Sequence, residues 1–472
     1  MRSPFFLLFA ALSAVSLTPS RALPSRTADQ VETDIIVTSA PVYIPLAEMR
    51  GHERFPRGAQ LLLVHNGETK PLVAGFADTA DADVSFDAKR VLFAGKRTAG
   101  NPWQIWELTL KDGSVRSVIH TEGDAERPFY LPGGRMVWAQ RTVSGFRIES
   151  APDGHPPKVP FLNPTAGPGI LPLTYIQTST FPTAILADGR ILFESGYPLG
   201  EGATSELYVV YADGSGVRDL RPYEGRARWG GAQLASGDVV FTQGRSLARF
   251  TSSLLQQTPI AAPHAEYAGA IQETASGAWL LSARKAGEAH YAIDRWKPGF
   301  PRLETELSRR GHDLIEPVLL ASRTPPRRFP SDLHPWNYAN LLALDSRLSL
   351  EGNLRQTPAS VRLETQGPNG HVQVKGTAPI AADGSFFVRV PGNRPIRFVL
   401  LDRNGAVLRR ERGWFWSRGG EQRACIGCHT GPALSAENRT PEVLLHTTTP
   451  ANLAGDSPLT ATRNDVQKGN TR

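Results

Sequence analysis

Between about residues 55 and 325 the apolar positions do not follow a helical period. They come in short runs, each entered from a polar turn and often ending on an aromatic residue. The instances are Asp87 to Phe93 (DAKRVLF), Gly133 to Trp138 (GGRMVW), Asp188 to Phe193 (DGRILF), Ser236 to Phe241 (SGDVVF) and Ser276 to Leu281 (SGAWLL). Runs of this length bounded by glycine and aspartate read as strands. Their ends recur roughly every 40 to 55 residues, the period of a four-stranded propeller blade. Several copies are followed by a second strand and another tight turn, as in Gln104 to Gly113 and Glu206 to Gly214.

This pairing of phrases resembles the TolB-type propeller family, which implies blades with an aspartate-glycine turn ahead of an inner strand. Five copies are visible, and either Arg57 to Val64 or Glu316 to Leu320 supplies a sixth. The expected first domain is therefore a β-propeller of about six blades over 35–325. The Pro/Arg-rich Thr324 to Pro330 breaks the rhythm, so a linker is expected over 326–348. Strands then return at Val361 to Thr365, His371 to Val374, Ser385 to Val390, Ile396 to Leu401 and Val407 to Arg410. Turn signals at Pro368-Asn369-Gly370, Asp383-Gly384 and Asn404-Gly405 separate them, predicting a small antiparallel, sandwich-like module over 349–418. The fold class is thus all-β. A flexible tail is expected over 442–472, where the chain turns polar.

The N-terminus changes the picture of where the chain works. Phe5 to Leu17 is an apolar run too short to span a bilayer, and Ser20-Arg21-Ala22 follows it as a small-x-small cleavage pattern. Residues 1–22 read as a signal peptide, so a periplasmic or secreted protein without a membrane span is expected. The net charge of +7 comes from scattered arginines rather than one dense tract, which argues against a nucleic-acid partner. No Gly-x-Ser-x-Gly elbow is present, which removes the usual hydrolase companion of such a propeller.

The only two cysteines lie in Arg423-Ala424-Cys425-Ile426-Gly427-Cys428-His429. This is the Cys-x-x-Cys-His arrangement in which two thiols reach one edge of a porphyrin while the adjacent imidazole meets the iron. Haem c is the expected cofactor, with Cys425 and Cys428 as covalent attachments and His429 as axial ligand, in a haem-binding segment spanning 419–441. A disulfide or a zinc site are the alternatives, but a disulfide does not need the histidine and structural zinc wants four protein ligands. The methionines are Met1, Met49 and Met136, all far upstream, so His/Met ligation is not expected. His446 is the nearest downstream imidazole and the candidate second axial ligand. His312, His334 and His371 are more remote candidates, and an open sixth position is the other possibility. Ahead of the motif, Trp414, Trp416 and Arg423 are candidate haem contacts, the indoles by packing and the arginine by pairing with a propionate.

The stretch Ala382 to Pro391, then Pro395 to Phe398, Trp414-Phe415-Trp416, Cys425 to His429 and Asn438-Arg439-Thr440-Pro441 resembles the hydrazine synthase alpha-subunit family. The resemblance implies a propeller, a β module and a c-type haem in that order. It does not imply hydrazine synthesis. The family's synthase uses a tyrosine four residues beyond the motif histidine, with that histidine diverted to zinc. Here that position is Ala433, and the chain carries one haem motif where the synthase carries two. The expected role is electron transfer with a periplasmic redox partner docked on the propeller. A haem enzyme acting on a small nitrogen or oxygen species, or a propeller binding module, are the alternatives.

Overall fold

The computed structural model describes residues 34–455 apart from 156–168, 202–203, 221–226, 253–256, 329–330, 332, 350–351, 353, 355, 368 and 428–434. Six four-stranded antiparallel sheets form the propeller. Blades two to six run outward from the axis in chain order, starting with Asp78–Val84, Ala125–Leu131, Thr180–Ile185, Arg228–Gln233 and Ala265–Glu273. Blade one closes the ring. Its innermost strand, Asp313–Leu319, pairs antiparallel with Ile35–Ala40 (Ile35 opposite Leu319), and Gln60–His65 and Glu68–Pro71 complete it. Both segments expected to supply a sixth blade therefore contribute to the same one.

The recurring phrase marks the second strand of blades two to six rather than the innermost. In Arg90–Lys96 every residue after Arg90 is buried, and Ile191–Tyr197 is buried up to its last residue. A strand covered on both faces by neighbouring blades reads as a continuous apolar run, which is why these strands stand out in the sequence. The innermost strands are harder to see because each carries an irregularity. Register shifts fall at Ala80/Asp83, Glu126/Phe129, Pro182/Ala184, Trp229/Ala232, Ala268/Gln272 and in the pairing of blade one. Such bulges bend a strand and sharpen its twist at a crowded axis.

The second domain is a sandwich of two four-stranded sheets. One has the order Val372–Pro379, Ser360–Gln366, Ile396–Leu401, Val407–Arg410. The other has the order Gln422–Cys425, Tyr338–Ala343, Phe386–Pro391, Ala451–Asn452. Leu341, Val388, Val390, Val361, Leu363 and Ile396 form its core.

Four expectations are corrected here. The segment 326–348 is not all linker, since Tyr338–Ala343 is a central strand whose residues alternate between half-buried and buried. The module is not purely antiparallel: Asn340–Ala343 pairs parallel with Gln422–Cys425, and Val388–Arg389 with Ala451–Asn452. The segment 419–441 contributes that edge strand rather than lying outside the sheet. The region after 442 is not wholly a tail, because a short helix, Glu442–His446, and the strand Ala451–Asn452 belong to the module. Strands this short gain their identity from a partner, which local sequence does not reveal. The expected signal peptide lies outside the described residues.

Candidate functional site

Cys425 is the last residue of the edge strand Gln422–Cys425, opposite Ala343. It packs on the module core while remaining half-exposed, and Ile426 beside it is 41% exposed. Burial raises the thiol pKa, and the Arg423 guanidinium acts against that rise. Cys428 and His429 lie outside the described residues.

Both flanks of the motif are tied to one corner of the module. On the near side, Leu344 N donates to Cys425 O (2.8 Å), and Asp345 N donates to Ile426 O (3.2 Å). On the far side, Arg439 Nη1 pairs with Asp383 Oδ2 at 2.9 Å, and Glu442 N donates to the same oxygen at 2.7 Å. Val443 N donates to Ser385 Oγ, and Glu442 Oε2 accepts from Asp383 N. The two flanks meet through Ser346 N, which donates to Gly384 O at 2.9 Å. These donors hold the Asp383 carboxyl below its usual range, although burial opposes them. The Asp383-Gly384 turn was visible in the sequence as a turn, whereas its use as a clamp depends on Arg439 and Glu442 folding back.

Trp414 and Trp416 are fully buried between the module and blade four. Trp414 Nε1 donates to Glu201 Oε1 at 2.9 Å, and the Arg397 guanidinium lies 4.2 Å from its ring centroid. Trp416 Nε1 donates to Gly214 O at 2.9 Å, within a cluster that includes Leu173, Phe193, Tyr208 and Val217 of the propeller. Arg423 joins the same seam: its Nη2 donates to Val217 O at 2.7 Å, and the guanidinium stands 5.2 Å from the Phe415 centroid. The three residues expected as haem contacts are thus brought together, and their polar groups bind the propeller. Glu421, missed in the sequence, accepts from Gly216 N and Arg418 N, and burial pushes its carboxyl up.

The histidine candidates are dispersed. His446 ends the short helix with a 72% exposed side chain, 3.7 Å from Glu442. His371 is exposed, His312 is half-buried, and His334 stacks on Trp336 at 4.4 Å. Met136 is fully buried in blade three, and Met49 packs against propeller residues.

Compared with known proteins, residues 355–430 match the family model described as the hydrazine synthase alpha subunit middle domain. The match runs just past His429. Hydrazine synthase subunit alpha of Kuenenia stuttgartiensis is 25% identical over 251 residues, covering 42% of this chain and 30% of that protein. The matched part thus spans less than a third of the curated relative. The solved hydrazine synthase of the same organism superposes with a TM-score of 0.74 at 16% identity, covering 88% of this chain and 71% of the other. TolB from Acinetobacter baumannii gives a TM-score of 0.45 at 13% identity, covering 60% and 66% of the two chains. This chain therefore resembles the hydrazine synthase alpha subunit, in sequence most specifically over the module and in fold through the propeller as well.

Proposed function

We propose that this protein is an exported c-type haem protein that passes electrons to or from a periplasmic partner. Cys425 and Cys428 attach the haem and His429 holds its iron. The observation that carries the reading is the Cys-x-x-Cys-His motif, whose first cysteine ends a strand and whose two flanks are clamped to one corner of the module. The donor set fits the group: two thiols and an adjacent imidazole, the first thiol half-exposed at the edge of an apolar core. When bound, haem supplies a one-electron couple. The chain's own part is to hold that couple in place. Arg423, Glu421, Trp414 and Trp416 fix the strand against blade four, and Asp383 returns the chain after the motif.

A second reading has a specific observation behind it. Both methionines among the described residues are committed to the propeller, and the nearest downstream imidazole, His446, faces Glu442 at 3.7 Å. This favours an iron with an open sixth position that acts on a small nitrogen or oxygen species.

The test is a reduced-minus-oxidised spectrum with pyridine haemochrome analysis, on protein made in a host that matures c-type cytochromes. A c-type band that disappears in Cys425→Ala/Cys428→Ala supports the proposal, and protein without covalent haem overturns it. Carbon monoxide binding by the reduced protein selects the second reading. A spectrum indifferent to carbon monoxide selects electron transfer, and its change in His446→Ala would identify that residue as the second ligand.

A further inference from the structure

The axis of the propeller holds a site unrelated to the haem motif. The insert between Ile35–Ala40 and Gln60–His65 turns onto the axis and buries Arg54 there. Arg54 meets Glu48 at 2.5 Å, Asp81 at 2.6 Å and Glu316 at 3.0 Å. Arg127 pairs with Glu48 and Glu194. Next to this cluster lies a cavity of about 790 Å³, lined by residues of all six blades and by the crossing segment from Ala321 to Arg327.

The side chains around the axis are asymmetric. At the bulges of blades one, two and three stand Glu316, Asp81 and Arg127, each with a left-handed backbone (φ 57°, 59° and 50°). At the equivalent bulges of blades five and six stand Gly230 and Gly269. A Cβ on Gly230 would lie 2.6 Å from Gly269 O, so no larger residue fits that turn. Charged groups therefore fill one half of the axis, and the glycines leave the other half to the cavity.

The polar wall is unbalanced. Two guanidiniums, Arg54 and Arg127, face four carboxyls, Glu48, Asp81, Glu194 and Glu316. Unmatched buried charge is costly, so a further cation at this wall is favoured. Burial pushes the Glu316 carboxyl up to about 7, and burial together with Glu48 raises Glu126, a fifth carboxyl beside the cluster. Arg127 lines the cavity with an 11% exposed side chain, yet its Nε–H has no acceptor. The same cavity is also lined by the apolar side chains of Phe129, Trp229, Ile271 and Leu319, together with polar groups that include Arg323 and Arg327.

We propose that this cavity binds a small amphipathic amine, whose protonated amino group faces Glu316 and Asp81, whose acceptor oxygen meets Arg127, and whose apolar body lies on Trp229 and Phe129. A pocket that is largely apolar with a few convergent polar groups is the usual form of a small-molecule site.

Isothermal titration of the full chain near neutral pH tests this with three probes: phenylalaninamide, phenethylamine, which lacks the acceptor, and hydrocinnamamide, which lacks the amine. The expected order of affinity is phenylalaninamide, then phenethylamine, then hydrocinnamamide, the first with a dissociation constant of about 1 mM or below and the last roughly tenfold or more weaker. Glu316→Gln should weaken phenylalaninamide roughly tenfold. Because Glu316 also pairs with Arg54, Ala270→Leu, which narrows the cavity without touching a charge, serves as the second variant. It should lower affinity while leaving the melting temperature and circular dichroism unchanged. Equal binding of hydrocinnamamide, absence of binding by all three probes, or indifference of phenylalaninamide to Ala270→Leu overturns the proposal. Phenethylamine matching phenylalaninamide overturns the assignment of Arg127 as the acceptor's partner.

Discussion

Trp416→Ala should separate the module from the propeller. The indole is fully buried, its ring packs among blade-four side chains and its N–H is bonded to Gly214 O at 2.9 Å. A tryptophan buries about 150–250 Å², and at about 25 cal/mol per Å² that contributes roughly 4–6 kcal/mol as an upper bound. Truncations of large aromatics in packed cores cost about 3–5 kcal/mol, because the cavity collapses only in part. Leaving the Gly214 carbonyl without its donor adds about 1 kcal/mol. The expected loss is therefore about 4–6 kcal/mol, borne by the contact between domains rather than by either core. Denaturant unfolding followed by tryptophan fluorescence, together with limited trypsinolysis across the arginine-rich segment at 323–328, reads this out. Trp416→Ala should give two transitions where the parent gives one, and a protease-resistant propeller fragment. Trp416→Phe keeps most of the apolar contact and should cost about 1–2 kcal/mol with a single transition retained. A Trp416→Ala protein that unfolds in one step, within about 1 kcal/mol of the parent, would refute the reasoning.

Gly420→Ala should unseat the motif strand: φ there is +85°, and a Cβ would stand 1.9 Å from His334 O. The expected outcome is faster amide exchange over 422–425 and less covalent haem, while exchange in the propeller stays unchanged. Arg423→Ala, which removes the bonds to Val217 O and Trp416 O, should lower stability by about 1–3 kcal/mol on chemical denaturation, with Arg423→Lys restoring only part. Stability should fall as pH rises from 4.5 through about 7, because Glu316, its carboxyl raised by burial, holds a proton in the folded state that the unfolded chain has already released. Glu48, lowered to about 2 against the burial that opposes it, acts in the opposite sense only below that window. Thermal melts of Glu316→Gln should therefore be flatter across it, and an unchanged slope would count against the assignment.

What could be read from the sequence was whatever an element settles with its own residues. The second strands of the blades are buried on both faces, so their apolar runs and entry turns gave the period, and the period gave the propeller. Ile396–Leu401 and the half-exposed Val407–Arg410 were legible to the residue because the Asn404-Gly405 turn between them marks a hairpin locally. The spacing of Cys425, Cys428 and His429, on which the proposed haem attachment rests, is a property of the chain itself.

The tertiary structure alone decided what depends on distant partners. Asp313–Leu319 and Ile35–Ala40 close one blade across some 270 residues, and nothing local to either marks that pairing. Gln422–Cys425 and Ala451–Asn452 are too short to be strands without the neighbours they join. For Trp414, Trp416 and Arg423 the sequence offered haem contact or packing, and only the fold shows that blade four supplies acceptors for their N–H groups. The axial charges are similar: Arg54, Asp81, Arg127 and Glu316 are unremarkable one at a time. Only the closed ring brings them, with Glu48 and Glu194, to one axis, where removal from water makes the excess of carboxyls matter.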